Sequence, residues 1–449
     1  MKKSYLRKLL MLTLSVAMVT SIVAGCGTKA PASSSSSTTV ATDKKPADYK
    51  GSLNVWSFTD ELKTSHFIDE FNKVYPNIKI NLTVIPMDNN AYSTKLASVL
   101  SSGSGAPDVY TAEVSFINRF ANLPYYEDLS KAPYNADELA KGMAQYSVDL
   151  GRNATDKGIR ALSWQATPGG IFYKRSLAKQ YFGTDDPEAI SKMMTTTDDL
   201  IKMGVDLKAK SAGKVSLLAG YGELYNIATG SKTTPWVVNN KLTIDAKLMN
   251  YIDQAKTIRN EGIDAKIAQW SAPWAAAQAG NNVFGFVLPT WGLNYVIQTN
   301  APKTKGDWGL AKAPSNYYWG GTWVGMYNKS KAKENSWQFI KFISTNKDFL
   351  TKHAKDTGDF VTNLEVNKVS ATTDAGKNEF VGGQNIAKTY SEILPGINGK
   401  LVTAYDETIN NKFTTDLDLY INGKKTKAEF LKQFREAVKT AYPDLDTAE

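Results

Sequence analysis

The strongest constraint on this chain is a change of periodicity repeated between Leu53 and Tyr110. Leu53-Asn54-Val55-Trp56-Ser57-Phe58 reads as a short strand ending in a polar turn. Over 60–75 the apolar residues Leu62, Phe67, Phe71 and Val74 recur at near-helical spacing, and Pro76 stops the pattern. Ile78, Ile80, Leu82 and Val84 then alternate with polar residues as a second strand, closed by Pro86. A second helix is expected over 92–100, followed by the loop 101–105, and Pro107-Asp108-Val109-Tyr110 opens a third strand. Strand, helix, strand, helix, strand specifies an α/β fold class with parallel pairing. Ligands of such sheets bind beyond the carboxyl ends of the strands. Trp56, Ser57 and Glu113 therefore become candidate ligand contacts.

Ahead of this body lies a different kind of sequence. Lys2, Lys3, Arg7 and Lys8 precede an almost wholly apolar run over 9–24. A permanent spanning helix needs roughly 20 apolar residues, so the run is short for that task. The order basic, apolar, small is that of an export signal. It leads into Val23-Ala24-Gly25-Cys26, and Cys26 is the single cysteine of the chain. The arrangement resembles the bacterial lipoprotein box, which implies acylation of Cys26 after removal of 1–25. Residues 26–49, with serines throughout 33–37, contain too little apolar surface to fold and are expected to act as a flexible tether. No disulfide can form, so stability must come from packing.

Composition narrows the chemistry. The formal net charge is +9. The four basic residues of the leader account for part of it, and the rest is dispersed with no Lys/Arg block, which argues against nucleic acid. His66 and His353 are the two histidines; they are far apart, in no metal-ligand spacing, and both are expected at the surface. There is no Walker loop and no GxSxG elbow. Neither a metal nor a cofactor is expected. Carboxylates are plentiful enough that a glycosidase-type acid pair stays open as an alternative.

The surplus is aromatic: 10 Trp, 22 Tyr and 17 Phe. Many tryptophans sit beside glycine or proline in loop-like contexts, where a flat indole suits the apolar face of a sugar ring. Trp291 follows a Pro-Thr turn after an apolar strand. Trp319 and Trp323 flank Gly320-Gly321, a pair that lets backbone approach a ligand closely. Trp270 and Trp274 surround Pro273, and of these Trp270 is the preferred cleft residue. Trp164 and Gln165 end a short strand before Pro168-Gly169-Gly170. Gln165 carries both a donor and an acceptor. Glu113 and Asp359 are acids at strand or loop ends, suited to accepting hydrogen bonds from hydroxyls. Trp236, after Thr234-Pro235, reads as structural.

In its order of motifs the chain resembles the extracellular solute-binding proteins of bacterial ABC importers, in the sugar-binding subgroup related to maltose-binding protein. The residues carrying the resemblance are the opening strand and helix, Lys95-Leu96-Ala97 through Ala106-Pro107-Asp108-Val109, and the stretch 120–129. Further matches are Ala161-Leu162-Ser163-Trp164-Gln165, Ile171-Phe172-Tyr173-Lys174, Leu288-Pro289-Thr290-Trp291, Tyr318-Trp319-Gly320-Gly321-Thr322-Trp323 and Gly358-Asp359-Phe360. The resemblance implies a periplasmic-binding-protein-like fold: two α/β lobes, a hinge crossed three times, and a ligand cleft between them. Carried onto this chain, the lobes would comprise 50–125 with 312–345 and 126–311 with 346–449, with crossings near Tyr126, Lys312 and Thr345. It also implies a carbohydrate ligand, an oligosaccharide by the number of aromatic platforms, the permease of an ABC importer as partner, and no enzymatic activity. With the lipid on Cys26, the expected location is the outer face of a Gram-positive-type cell membrane. The alternatives are a surface-anchored carbohydrate hydrolase and an ABC receptor for a non-sugar solute.

Overall fold

The computed structural model describes residues 44–448, so the leader, Cys26 and most of the expected tether lie outside the described residues. Near the start of the described residues Tyr49 is buried and packs edge-on against Tyr75 at 5.8 Å. No helix among the described residues is long and apolar enough to cross a membrane.

Two mixed sheets form the framework. The first has five strands in the order β2-β1-β3-β11-β4, with β1 at Gly51–Ser57, β2 at Ile78–Val84, β3 at Val109–Glu113, β4 at Leu162–Ser163 and β11 at Thr322–Met326. β1 runs parallel to both β2 and β3, as its alternation with helices requires, while β11 is antiparallel to β3. The second sheet has the order β10-β5-β9-β6, from β5 at Gly169–Lys174, β6 at Ser216–Leu218, β9 at Val283–Pro289 and β10 at Trp308–Lys312. The short hairpin of β7 (Val237–Val238) and β8 (Lys241–Leu242) stands apart from both. Every residue of β9 is buried, which explains its unbroken apolar sequence: it is an inner strand covered on both faces.

The helix expected over 60–75 is two helices, α1 (Glu61–Thr64) and α2 (Phe67–Val74). Between them His66 takes a left-handed backbone conformation, φ 61°. On either side of the break Leu62 and Phe67 are both fully buried in the same core, while Glu61 lines the cavity beyond the strand end.

Three segments join the two sheets, and they run side by side. Residues 164–168 follow β4, 313–321 link β10 to β11, and 358–363 follow the helix Lys347–Thr357. Gln165 bridges Val361 and Pro168 bridges Tyr318. Backbone bonds from Ala166 N–H to Phe360 O (2.7 Å) and from Trp319 N–H to Thr167 O (3.2 Å) tie the segments together. The first and third segments therefore differ from the expected crossings at Tyr126 and Thr345. Leu129, Tyr134, Met143 and Val148 pack into the core beneath β1 and β3, and β4 pairs with β11, so the chain stays with the first sheet until Ser163. Phe349 and Leu350 occupy the same core, which holds the chain there past Thr345. Composition carries no mark of these contacts, because each is made with residues far away in sequence.

Candidate functional site

Beyond the carboxyl end of β1 the chain turns through Phe58, Thr59, Asp60 and Glu61. These residues form one wall of a cavity of about 600 Å³. Thr64, Met87 and Glu113 extend that wall; Gln165 and Gly320–Thr322 come from the joining segments; Trp270, Trp291, Tyr295 and Trp319 stand on the remaining side.

Trp270, Trp291 and Trp319 make one aromatic platform. Ring centroids lie 6.1 Å apart for Trp270 and Trp291, 5.7 Å for Trp270 and Trp319, and 5.1 Å for Trp291 and Trp319. Trp291 donates its Nε1–H to the Trp319 carbonyl at 3.1 Å, which fixes its plane. Behind it, Gly320 has φ 76°, and a Cβ built there would come within 2.7 Å of Trp291 Nε1. Glycine is required at that turn by both conformation and space. Trp270 is 58% exposed and itself left-handed at φ 69°, with buried Trp274 packed under it at 5.1 Å. A large apolar ring held open to solvent in a strained backbone is costly for folding alone and suits a ligand surface.

The polar wall is acidic. Tyr295 donates its hydroxyl to Glu61 Oε1 at 3.1 Å and lies 3.0 Å from Ser65 Oγ. Enclosure by protein pushes the Glu61 carboxyl up to about 7; the nearby Asp359 charge adds to the shift and His353 opposes it. Glu113 ends β3 and caps α4 (Val114–Ala121), accepting from Ser115 N–H at 2.7 Å and from Ser115 Oγ at 2.6 Å. Burial raises its pKa too, against the pull of Ser115. Behind Glu61, Gln165 donates Nε2–H to Asp359 Oδ2 at 3.1 Å, and His353 Nε2 lies 3.4 Å from the same oxygen. Glu61, His353 and Asp359 bring their oxygen and nitrogen atoms within 4.8 Å of one another, the one group among the described residues arranged to share a metal ion.

Of the sequence candidates, Glu113, Gln165, Trp270, Trp291 and Trp319 meet at this cavity. The others do not line it. Trp56 lies two residues before Phe58, the first lining residue of this stretch; it is half-buried, with the Lys95 ammonium 5.3 Å from its ring. Ser57 is buried and accepts from Thr111 Oγ1 at 3.4 Å. Trp164 packs edge-on against Phe67 at 4.9 Å in the first core. Trp323 is equally buried and donates Nε1–H to the Ser147 carbonyl at 2.8 Å, because alternate residues of β11 face opposite sides and Thr322 takes the cavity side. Asp359 is buried behind Gln165 and supports it. His353, expected at the surface, is buried between Phe67 and Phe349 at ring distances of 4.7 and 5.8 Å. His66 is exposed and pairs with Asp69.

Sequence reading missed Asp60, Glu61 and Tyr295. The first two obey the strand-end rule once it is applied a few residues beyond the strand. Tyr295 lies in a π-helical turn, Leu293–Ile297, for which the local sequence carries no signal.

Comparison with known proteins agrees with this architecture. A crystal structure described as an extracellular solute-binding protein family 1 superposes with a TM-score of 0.76 at 22% identity, covering 87% of this chain and 99% of that one. The ABC transporter associated binding protein from B. animalis subsp. lactis Bl-04, solved with β-1,6-galactobiose, gives a TM-score of 0.68 at 19% identity, covering 88% and 98%. The erythritol/L-threitol-binding protein of Mycolicibacterium smegmatis (strain ATCC 700084 / mc(2)155) is 26% identical over 179 residues, 37% of this chain and only 33% of that relative's length. These likenesses assign the two-lobed periplasmic-binding-protein-like fold to the paired sheets described above. Residues 57–348 match the family described as bacterial extracellular solute-binding protein, and the chain belongs to that family.

Proposed function

We propose that this protein is a receptor that captures a carbohydrate between its lobes and hands it to the permease of an ABC importer, without chemical change to the sugar. The observation that carries this reading is the cavity itself. A platform of three tryptophans faces Gln165, Asp60, Glu61 and Glu113, so apolar ring faces and hydroxyl edges both find partners. The lobes are then 50–163 with 322–357 and 169–312 with 364–448, joined by the three parallel segments. Those segments are the hinge, and closure about them traps the ligand. An acyl group on Cys26 would hold the receptor at the outer face of the membrane, with the serine-rich stretch as its leash.

Calorimetric titration of the purified protein with an oligosaccharide panel tests the reading. The expected result is one-to-one binding accompanied by a change in tryptophan fluorescence, with the sugar recovered intact. Recovery of shortened sugar would replace it with the hydrolase reading; tight binding of a peptide with no sugar bound would end it. Replacing Cys26 with serine should release the protein into the medium, and retention on the cells would remove the lipid anchor from the proposal.

A further inference from the structure

The polar wall of the cleft is unusual for the chain that builds it. The protein carries 53 Lys and Arg against 44 Asp and Glu, yet the residues lining the cavity include three acids, Asp60, Glu61 and Glu113, and no Lys, Arg or His among those described. Lys95, on the neighbouring helix, is turned to the Trp56 ring and does not line the cavity. Glu61 therefore sits in a protein-lined wall with a tyrosine hydroxyl and no basic side chain among its hydrogen-bond partners. A carboxylate enclosed by protein favours a positively charged partner, and the acid and the histidine within 4.8 Å of Glu61, Asp359 and His353, do not line the cavity.

The hydrogen-bond inventory points the same way. A sugar hydroxyl asks for a donor and an acceptor together, whereas an ammonium offers three donors and accepts nothing. Several side-chain donors at this cavity are already committed within the protein. Trp291 Nε1–H goes to the Trp319 carbonyl, the Tyr295 hydroxyl to Glu61, Gln165 Nε2–H to Asp359, and Thr64 Oγ1–H to the Asp60 carbonyl. The acids keep acceptor capacity, since Tyr295 bonds one Glu61 oxygen and Ser115 one Glu113 oxygen. The same cavity is lined by three indoles, the aromatic group that attracts cations most strongly, with Trp270 and Trp291 nearly parallel at 19° and Trp319 tilted about 60° to both. Acids and electron-rich rings in one cavity are complementary to a cation and hostile to an anion.

We infer that the ligand of this cleft is a carbohydrate bearing a free amine, whose ammonium meets the carboxylates of Glu61 and its acidic neighbours while its ring lies on the Trp270–Trp291–Trp319 platform. The inference rests on the carbohydrate reading given above and narrows it. Uronates and sugar phosphates are excluded by the same charges.

The test compares matched probes in buffer containing a metal chelator: a β-1,4-linked glucosamine tetrasaccharide, its fully N-acetylated form, cellotetraose, glucosamine against glucose, and spermidine. Calorimetry on the full protein should show each free-amine sugar binding at least about tenfold more tightly than its hydroxyl or acetylated counterpart. That ratio should shrink as salt rises, since screening weakens charge pairing. In Glu61→Gln it should fall towards one, with thermal melting confirming that the variant folds; if the variant does not fold, the salt series on the unaltered protein decides. Equal or tighter binding of the hydroxyl or acetylated sugars overturns the inference and leaves the carbohydrate reading standing. Failure of every aminated probe to bind overturns it as well. Spermidine binding as tightly as the aminated sugars overturns the carbohydrate reading while the cationic ligand survives.

Discussion

Two clusters of aromatic residues in the second half of this chain invite comparison. Trp236 lies 1% exposed against Phe413 and Phe434, at 5.4 and 5.7 Å, and its Nε1–H is bonded to Asn410 Oδ1 at 2.8 Å. Trp270 lies 58% exposed against Trp291 and Trp319. Both tryptophans lie outside regular strands and helices with a proline nearby, and in sequence they look alike. The difference is what surrounds them. Trp236 is closed in by the C-terminal helix Lys427–Ala441, whereas the described residues leave more than half of Trp270 uncovered. An aromatic ring stabilises the fold when the protein covers it and serves a ligand when the protein leaves it bare.

The comparison can be broken most sharply at the core. Trp236→Ala should cost about 3–5 kcal/mol of folding free energy, read by urea unfolding, with ligand affinity unchanged in the fraction that folds. A loss below about 1 kcal/mol would show that the two clusters do not differ as described. Trp291→Ala should act in the opposite way, weakening ligand binding by about 2 kcal/mol, roughly thirtyfold, as a buried aromatic anchor does. Calorimetry checks that, with little change expected in the thermal midpoint. Gly320→Ala tests the support of the platform. It combines a left-handed φ with a 2.7 Å approach to Trp291 Nε1, so about 1–2 kcal/mol should be lost from stability, with affinity reduced alongside.

Acids sharpen the same contrast. Glu223 is buried in the second lobe, where it accepts from Trp274 Nε1–H at 2.7 Å and from Val287 N–H at 2.9 Å. Burial raises its pKa from 4.5 to about 8, and those two bonds oppose the shift. The folded state holds this proton more tightly than the unfolded chain, so its contribution is complete below pH 4.5 and is lost as pH rises towards 8. Unfolding free energy measured from pH 5 to 8 should fall with a slope of up to about 1.4 kcal/mol per pH unit, and Glu223→Gln should flatten it. Glu61 adds a weaker fall of the same sign between 4.5 and about 7. The smallest effect belongs to Trp270→Ala, which should leave stability within about 0.5 kcal/mol while reducing affinity.

Much of the first lobe was legible in the sequence because its signals are local. The alternation at Ile78, Ile80, Leu82 and Val84 specifies β2, and Pro76 and Pro86 bracket it. The tryptophans beside Gly320 and after Pro289 could be picked out because turn chemistry displays them. Trp164 and Trp323 failed by the same logic: a turn-flanked indole and a core indole share a local sequence, and only distant Phe67 and Ser147 separate them. His353 was misread because its helix looks polar, and the aromatic rings that bury it come partly from α2.

Taken alone, the sequence determined the α/β class, the order of elements that opens the first sheet, and the aromatic supply of the cleft, since periodicity and turn residues act over a few positions. Tertiary structure alone decided which rings stay bare, where the chain changes sheets, and that three acids meet at a cavity lined by no cation among the described residues. Those outcomes depend on contacts between residues remote in the chain, as between Glu61 and Tyr295, and the burial that shifts a pKa or exposes an indole exists only after such contacts form.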